Sequence, residues 1–520
     1  MLTGCRGGGV WLGGACARML RPAGVSLVLF AVALATVSCA GATAKPARVP
    51  DPVAAQTRAP PSATSVLAGP PGAVSVAVTR DLFAAAPVVV VTSAGYRAGL
   101  GPAVIEAGRA HAPLLLMQPQ PGTAAGGATV ITEIRALHPR AVLAIGVAPG
   151  ALAAQLPGIR VVTDLASLPP TRAPAPAGRA VLLVHQGDSS AATMAAVATA
   201  HVAGAQVITA QHYDPRADPA AITALAAAQP REVVAAGARF GPVPRLAYRL
   251  AVAQTGMQLP GGGQLLLPGH RLVALYGHPG DPALGALGDQ DLPASIARAR
   301  RAARPYRRLS SVPVIPTLEI IATVAEAHPG PDGSYSYESP LSLLRPWVNR
   351  ATAAGMYVVL DLQAGRANLL AQAKQYEPLL RRPNVGLALD PEWKLGPRQR
   401  PLRQIGSVSA GEINGVSRWL AALTARHHLP QKLLVLHQFR LSMITSEQRL
   451  DTRHGDLAIV IHMDGQGTSN AKGQTWQAVT AAAPPGVFFG WKNFYTKDHP
   501  MLSPRQTMAR TPEPVMISYQ

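Results

Sequence analysis

Residues 385–393 read Val-Gly-Leu-Ala-Leu-Asp-Pro-Glu-Trp, an apolar run that ends in two carboxylates and an indole. Six similar runs occupy the C-terminal part of the chain, at 314–321, 357–363, 433–440, 457–464, 487–495 and 515–520. Stretches with helical spacing lie between them, for example at 341–354, 369–380, 410–425 and 475–483. Short apolar runs that alternate with helices indicate βα units and a parallel sheet. The pattern predicts a TIM-like (β/α) barrel over 312–520, with one of its strands unrecognised or missing.

Polar and aromatic side chains collect where these runs end. In a (β/α) barrel the carboxyl ends of the strands form the active face, so these side chains are expected to line a site. A charge at the end of a buried strand costs stability unless it is paired or used. Its repetition over several strands therefore favours a functional role over packing alone. The candidate residues are Glu319, Asp361, Gln363, Asp390, Glu392, Trp393, His437, Gln438, His462, Asp464, Trp491, Asn493, Tyr495 and Gln520.

This combination of carboxylates, amides and aromatic rings predicts a carbohydrate site. Glycoside hydrolysis needs one carboxylic acid to protonate the leaving oxygen. A second carboxylate, or the substrate's own amide, then stabilises the cationic centre. We assign the five carboxylates to catalysis, and we assign the amides, imidazoles and aromatic rings of the set to substrate binding.

The residues Asp-Pro-Glu-Trp at 390–393 resemble the strand-end D-x-E of chitinase-like and muramidase-like barrel hydrolases. The resemblance implies that Glu392 is the catalytic acid and that Asp390 supports it. It also implies that Tyr495 and Gln520 lie near the substrate. In those families the motif follows the fourth strand, whereas here it follows the third of the predicted strands.

Alternatives to this assignment stay open. Glu319 and Asp361 are rival acids. His437, His462 and carboxylates of the set could instead assemble a metal site, but the ligands would have to come from separate strands, because no H-E-x-x-H spacing occurs. The favoured prediction contains no metal and no cofactor. A barrel that binds a glycan without turnover is the other class, since a fold does not fix a function.

The middle of the chain contains matched segments about 92 residues apart. Val88–Ser93 matches Val181–Gln186, and Pro139–Gly146 matches Pro230–Gly237. Ala-rich stretches with helical spacing separate the apolar runs. The pattern predicts a duplicated parallel-sheet βαβ module over 76–280, with repeats at about 76–170 and 175–280.

The order of elements in this module resembles the type-2 cell-wall-binding repeats of Gram-positive surface proteins. The likeness lies in a strand, an Ala/Gly-rich helix with the sequence APLLL at 112–116, a second helix and a closing PRAVLAIG at 139–146. The resemblance implies binding to an anionic secondary wall polymer. The expected partner of the whole protein is therefore an envelope glycan or an anionic wall polymer.

The N-terminus has the features of an export signal. Arg18 and Arg21 precede the apolar stretch 25–37, which is too short to span a bilayer comfortably. The residues Thr-Val-Ser-Cys-Ala at 36–40 resemble a bacterial lipobox, which implies that Cys39 is lipidated. We therefore predict a signal peptide over 1–39 and a lipid anchor on the extracytoplasmic face of the cell membrane. An Ala/Pro-rich linker is predicted over 40–75, and a basic linker over 281–311.

Composition excludes several classes of protein. The chain has 520 residues and a formal charge of +20, but no zinc-finger spacing and no basic recognition helix is present, so nucleic acid is not an expected partner. All three cysteines (Cys5, Cys16 and Cys39) lie in the first 39 residues, so the rest of the chain holds no disulfide and no cysteine metal site.

Overall fold

The computed structural model describes residues 51–118 and 124–520, and the side chains of all of these except 124–128. The predicted signal peptide, the lipidation site Cys39 and the first part of the predicted linker lie outside the described residues. In the described ranges, no helix is long and apolar enough to cross a membrane.

Two four-stranded parallel sheets form the core of the described residues before position 255. Their strands are β1 (Thr64–Leu67), β2 (Val88–Ser93), β3 (Leu114–Met117), β4 (Ala141–Ile145), β5 (Arg160–Val162), β6 (Ala180–His185), β7 (Gln206–Ala210) and β8 (Glu232–Ala236). The strand order is β3-β2-β4-β5 in one sheet and β7-β6-β8-β1 in the other. The helices of this region are α1 (Pro71–Leu82), α2 (Arg97–Arg109), α3 (Ala124–Ala136), α4 (Pro149–Gln155), α5 (Ala191–Val202), α6 (Pro219–Ala228) and α7 (Val243–Gln254).

The central strands of these sheets read as unbroken apolar runs because both of their faces are buried. Val88 to Val91 in β2 have at most 1% of their surface exposed. Strand β1 comes from the segment that was predicted as a linker over 40–75, and it pairs with β8. This end of the predicted linker is therefore part of a sheet. The duplication of the βαβ module stays a prediction.

Eight parallel strands close into a barrel between Arg271 and Tyr519, a range that the structure describes without a gap. They are β9 (Arg271–Gly277), β10 (Val314–Ala325), β11 (Tyr357–Leu362), β12 (Val385–Leu389), β13 (Lys432–Gln438), β14 (Leu457–Met463), β15 (Phe488–Asn493) and β16 (Met516–Tyr519). The barrel closes because β9 pairs with both β10 and β16. The prediction of an α/β fold with a TIM-like barrel is confirmed.

The first barrel strand lies outside the predicted barrel range of 312–520. Strand β9 falls in the segment assigned to the second repeat, and α8 (Leu292–Ala303) falls in the predicted basic linker over 281–311. Ile296, Ala299 and Ala303 of α8 are buried in the same apolar cluster as the outward residues of the barrel strands. Arg298, Arg300 and Arg301 therefore lie on a helix of the barrel, the other arginines of the segment lie on the 3-10 helix that follows it, and 281–311 is not a free linker.

The remaining helices surround the barrel. They are α9 (Leu341–Ala353), α10 (Leu369–Gln375), α11 (Glu377–Leu380), α12 (Ala410–Arg426), α13 (Ser469–Ala482) and α14 (Pro504–Met508). Helix α12 begins where the Ser409 side chain accepts a hydrogen bond from the N–H of Glu412, which satisfies one of the free donors of its first turn.

Alternate residues of the barrel strands face the interior. Near the amino ends this interior is apolar, with Leu272, Ile315 and Tyr357 in one buried cluster. Residues of the opposite parity, such as Leu360 and Leu436, pack with the surrounding helices. Toward the carboxyl ends the inward positions become polar, and this change positions the site.

Candidate active site

A cavity of about 390 Å³ opens at the carboxyl ends of the barrel strands. Six residues of the predicted site line it, namely Gln363, Asp390, Glu392, Trp393, Asp464 and Gln520. Several other lining residues were not predicted as site residues, among them Tyr276, Phe439, Lys492, Phe494 and Lys497. The volume is in the range of sites for small molecules or for part of a polymer.

The Asp-Pro-Glu-Trp segment follows β12, which is the fourth strand of the closed barrel. The residues 391–393 form one 3-10 turn, and the Asp390 carboxylate accepts a hydrogen bond from the N–H of Glu392 at 3.2 Å. Asp390 is almost fully buried, whereas Glu392 is partly exposed to the cavity. The turn therefore directs Glu392 toward solvent in the cavity, with Asp390 beneath it.

A row of buried charges runs from the wall of the cavity, where Asp464 and Lys492 lie, into the barrel interior below it. His437 is fully buried between two carboxylates, with Nε2 at 3.1 Å from Glu319 Oε1 and Nδ1 at 3.1 Å from Asp464 Oδ2. Lys492 Nζ lies 3.2 Å from the same Asp464 oxygen. Two cations and two carboxylates thus alternate across β10, β13, β14 and β15, which offsets the cost of burying each charge.

Tyr276 connects the missed first strand to this network. Its hydroxyl donates to Asp361 Oδ2 at 2.8 Å and accepts from Gln363 Nε2 at 3.3 Å. The Lys492 ammonium lies 3.5 Å from the centre of the Tyr276 ring, a cation–π geometry between two buried groups. Tyr276 therefore positions Asp361 and Lys492 through separate parts of its side chain.

The surroundings raise the pKa values of three carboxyl groups, Glu392, Asp390 and Asp361. Burial, and then the charge of Asp464, raise the pKa of Glu392 to about 7, although Lys492 opposes the shift. Burial and the neighbouring Asp361 raise the pKa of Asp390 well above its usual range. Burial likewise raises the pKa of Asp361 to about 6, against the charge of His437. These groups can therefore hold protons near neutral pH.

The pKa values of Asp464 and Glu319 shift in the opposite direction. Burial alone would raise the pKa of Asp464, but Lys492 and His437 hold it well below its usual range. Burial also opposes the charge of Glu319, but a hydrogen bond with His437 lowers its pKa. Both carboxylates in turn keep the pKa of His437 well above its usual range, despite its burial. Asp464 is thus an ionised carboxylate in the same cavity as Glu392, which can hold a proton near neutral pH.

Several predicted site residues do not line this cavity. Glu319, Asp361, His437 and His462 are fully buried in the barrel interior below it. His462 accepts from or donates to Ser518 Oγ at 3.2 Å, and burial lowers its pKa to about 3, so it is neutral. Tyr495 lines a neighbouring cavity, stacked on Tyr519 with ring centres 5.5 Å apart.

Three further candidates face away from the barrel interior. Trp491 is fully buried against Trp476 of α13, and its Nε1 donates to Asn493 Oδ1 at 2.9 Å. Gln438 is also fully buried, and its amide donates to Glu447 at 2.9 Å. The strand register explains these positions, because adjacent residues of a strand point to opposite faces. Lys492, between Trp491 and Asn493, is the inward residue, and it was not among the predicted site residues.

Within the described residues, no group of three or more His, Cys, Asp or Glu side chains has the arrangement of a metal site. No protein-family model matches the chain, and no curated protein matches it in sequence.

Proposed function

We propose that the barrel is a glycoside hydrolase that cuts a glycan of the cell envelope or of the extracellular space, with Glu392 as the general acid. The observation that carries the proposal is the position of Glu392. It follows the fourth strand of a closed barrel, it faces the cavity, and its pKa is raised to about 7. The missed first strand accounts for the apparent shift of the motif to the third strand, so the resemblance to D-x-E hydrolases gains support.

The reaction assigns different roles to Glu392 and Asp464. Protonated Glu392 gives its proton to the glycosidic oxygen, and the bond from that oxygen to the anomeric carbon breaks with its electron pair on the oxygen. The cationic carbon is stabilised by an ionised carboxylate, for which Asp464 is the candidate in the cavity, or by the substrate's own amide. Water then adds to the carbon, and its proton returns to Glu392.

The buried residues act through these two groups. Asp390 fixes the turn that carries Glu392, because its carboxylate accepts the N–H of that residue. His437 and Lys492 keep Asp464 ionised through contacts of 3.1 Å and 3.2 Å. Tyr276, whose hydroxyl donates to Asp361, positions Lys492 through its ring.

Release of reducing ends from peptidoglycan, chitin-type and neutral wall polysaccharides tests the proposal, with Glu392→Gln beside the wild type. Activity that falls by at least about 100-fold in the variant supports Glu392 as the acid. Unchanged release in the variant would show that Glu392 is not the acid, and Glu319, Asp361 and Asp464 would then be the candidates. Retention of a glycan in a pull-down, with no release from any substrate, would favour a barrel that binds without turnover.

For the two sheets at the N-terminal side we propose a duplicated module that binds an anionic wall polymer. In its support, each sheet has an early strand, β2 or β6, between the two strands that follow it along the chain. Co-sedimentation with purified walls before and after removal of the anionic polymer tests this role. Equal sedimentation with both preparations would contradict it.

We propose export and anchoring by lipidation of Cys39, on the basis of the sequence 36–40. Detergent-phase partitioning of the wild type against Cys39→Ala tests the anchor. Equal partitioning of both proteins would contradict it.

A further inference from the structure

The cavity at Glu392 continues on both sides into neighbouring cavities. One of about 380 Å³ shares Glu392, Trp393 and Leu402 with it. Another of about 330 Å³ shares Phe494 and Lys497 with it, together with Ala283 and Gln520. The candidate acid thus lies in a cleft that extends in two directions across the end of the barrel, and not at the bottom of a closed pocket.

Cationic side chains lie in both outer cavities. Arg403 and Arg440 line the cavity next to Trp393, and Lys497 lines the one on the far side. All three side chains are exposed. Among residues 51–118 and 124–520, no carboxylate lies within ion-pair distance of any of them. In contrast, Arg298 in the far cavity pairs with Asp289 at 2.6 Å.

Aromatic faces accompany these cations. Tyr495 is 40% exposed in the far cavity and stacks on Tyr519. The Arg298 guanidinium lies 5.0 Å from the centre of the Tyr495 ring. Trp393 lines both the central cavity and the one beside it. Aromatic rings with an apolar face and a solvent-exposed edge are well suited to contact sugar rings.

We propose that the cleft binds a linear anionic glycan whose chain crosses Glu392, with acidic groups paired to Arg403 and Arg440 on one side and to Lys497 on the other. The cutting of that chain rests on the proposed hydrolase function, but its binding does not. An uncharged glycan would leave Arg403, Arg440 and Lys497 without an ion pair, whereas carboxylate or sulfate groups along a chain match cations on both sides of Glu392. A chain that extends to both sides of the acid is cut internally.

Binding is measured with full-length Glu392→Gln protein, so that no substrate is consumed. The probes are polygalacturonate and hyaluronan, each beside a carboxyl-neutralised form with the same backbone, and single-stranded DNA as a different polyanion. We expect at least one anionic glycan to bind about tenfold tighter than its neutral form at low salt. The advantage shrinks as the salt concentration rises, because exposed charges are screened.

Arg403→Gln with Arg440→Gln, added to Glu392→Gln, is expected to weaken binding of the anionic glycan roughly fivefold. The control pair Arg418→Gln with Arg426→Gln removes the same charge from exposed positions of α12 that line none of these cavities. Unchanged binding in the control supports the cleft as the site. A loss as large as in the first pair would overturn the proposal, because binding would then depend on net charge alone.

Other outcomes separate this inference from the hydrolase function. Equal binding of the charged and neutral forms, no binding of either glycan, or tighter binding of DNA than of either glycan would each overturn the anionic-glycan assignment. Wild-type protein that binds the anionic glycan in the expected way but releases no reducing ends would leave the inference standing and overturn the hydrolase. Release of mainly long fragments from the anionic glycan supports both the hydrolase function and the anionic-glycan assignment. Cleavage of the neutral form at the same rate supports the hydrolase function but overturns the anionic-glycan assignment.

Discussion

Removal of the Lys492 charge tests whether the ion pair with Lys492 holds Asp464 in its ionised form. Lys492 and Asp464 have 3% and 7% of their side-chain surface exposed, and their atoms lie 3.2 Å apart. At an effective dielectric constant near 20, such a pair attracts by about 5 kcal/mol. Loss of one partner of a buried pair typically costs about 3–5 kcal/mol of unfolding free energy. We expect Lys492→Met to lose an amount in that range.

Urea unfolding followed by tryptophan fluorescence measures this loss, with Lys374→Met as the matched control. Lys374 is exposed on α10 and has no ion pair among the described residues, so its substitution should change stability by at most about 0.5 kcal/mol. The cost of Lys492→Met should be larger at pH 7 than at pH 4, because Asp464 without its cation can become neutral by taking up a proton. A loss as small as that of Lys374→Met at pH 7 would refute the assignment of the ion pair.

Three further predictions concern the same barrel. Activity should fall as the pH rises through about 7, because a general acid works only while protonated and the pKa of Glu392 is raised to that value; a rate that instead increases steadily above pH 7 would contradict this role. Tyr276→Phe removes the donor to Asp361 and should cost about 1.5–3 kcal/mol in unfolding free energy, and an unchanged stability would show that the hydrogen bond contributes little. Trp491→Ala should lower the unfolding free energy by about 3–5 kcal/mol, because it empties a packed site outside the barrel, and should not change KM for any glycan. A raised KM at unchanged stability would instead indicate that Trp491 contacts the substrate.

Much of the barrel could be predicted from the sequence because most of its strands end in charged or amide side chains. Strand β9 lacks this feature, since it ends in Tyr276 and Gly277 and begins with an arginine. Its apolar run also lies at the end of the predicted repeat. The helix after it, α8, is rich in arginine and reads as a basic linker, because its buried side consists of one isoleucine and small residues.

The candidate site could be predicted only in part, for a reason of register. Parallel strands buried on both faces show no apolar–polar alternation, so the sequence does not tell which of two adjacent residues faces the interior. Trp491 and Asn493 were therefore assigned to the substrate, and Lys492 was not. The contacts of Tyr276 join strands that are distant in the chain, and no local pattern indicates them.

The activity of Glu392→Gln tests the central proposal most directly. The release of reducing ends from a glycan that the wild type cleaves should fall by at least about 100-fold, while binding of that glycan is retained. Wild-type rates in this variant would contradict the assignment of Glu392 as the acid.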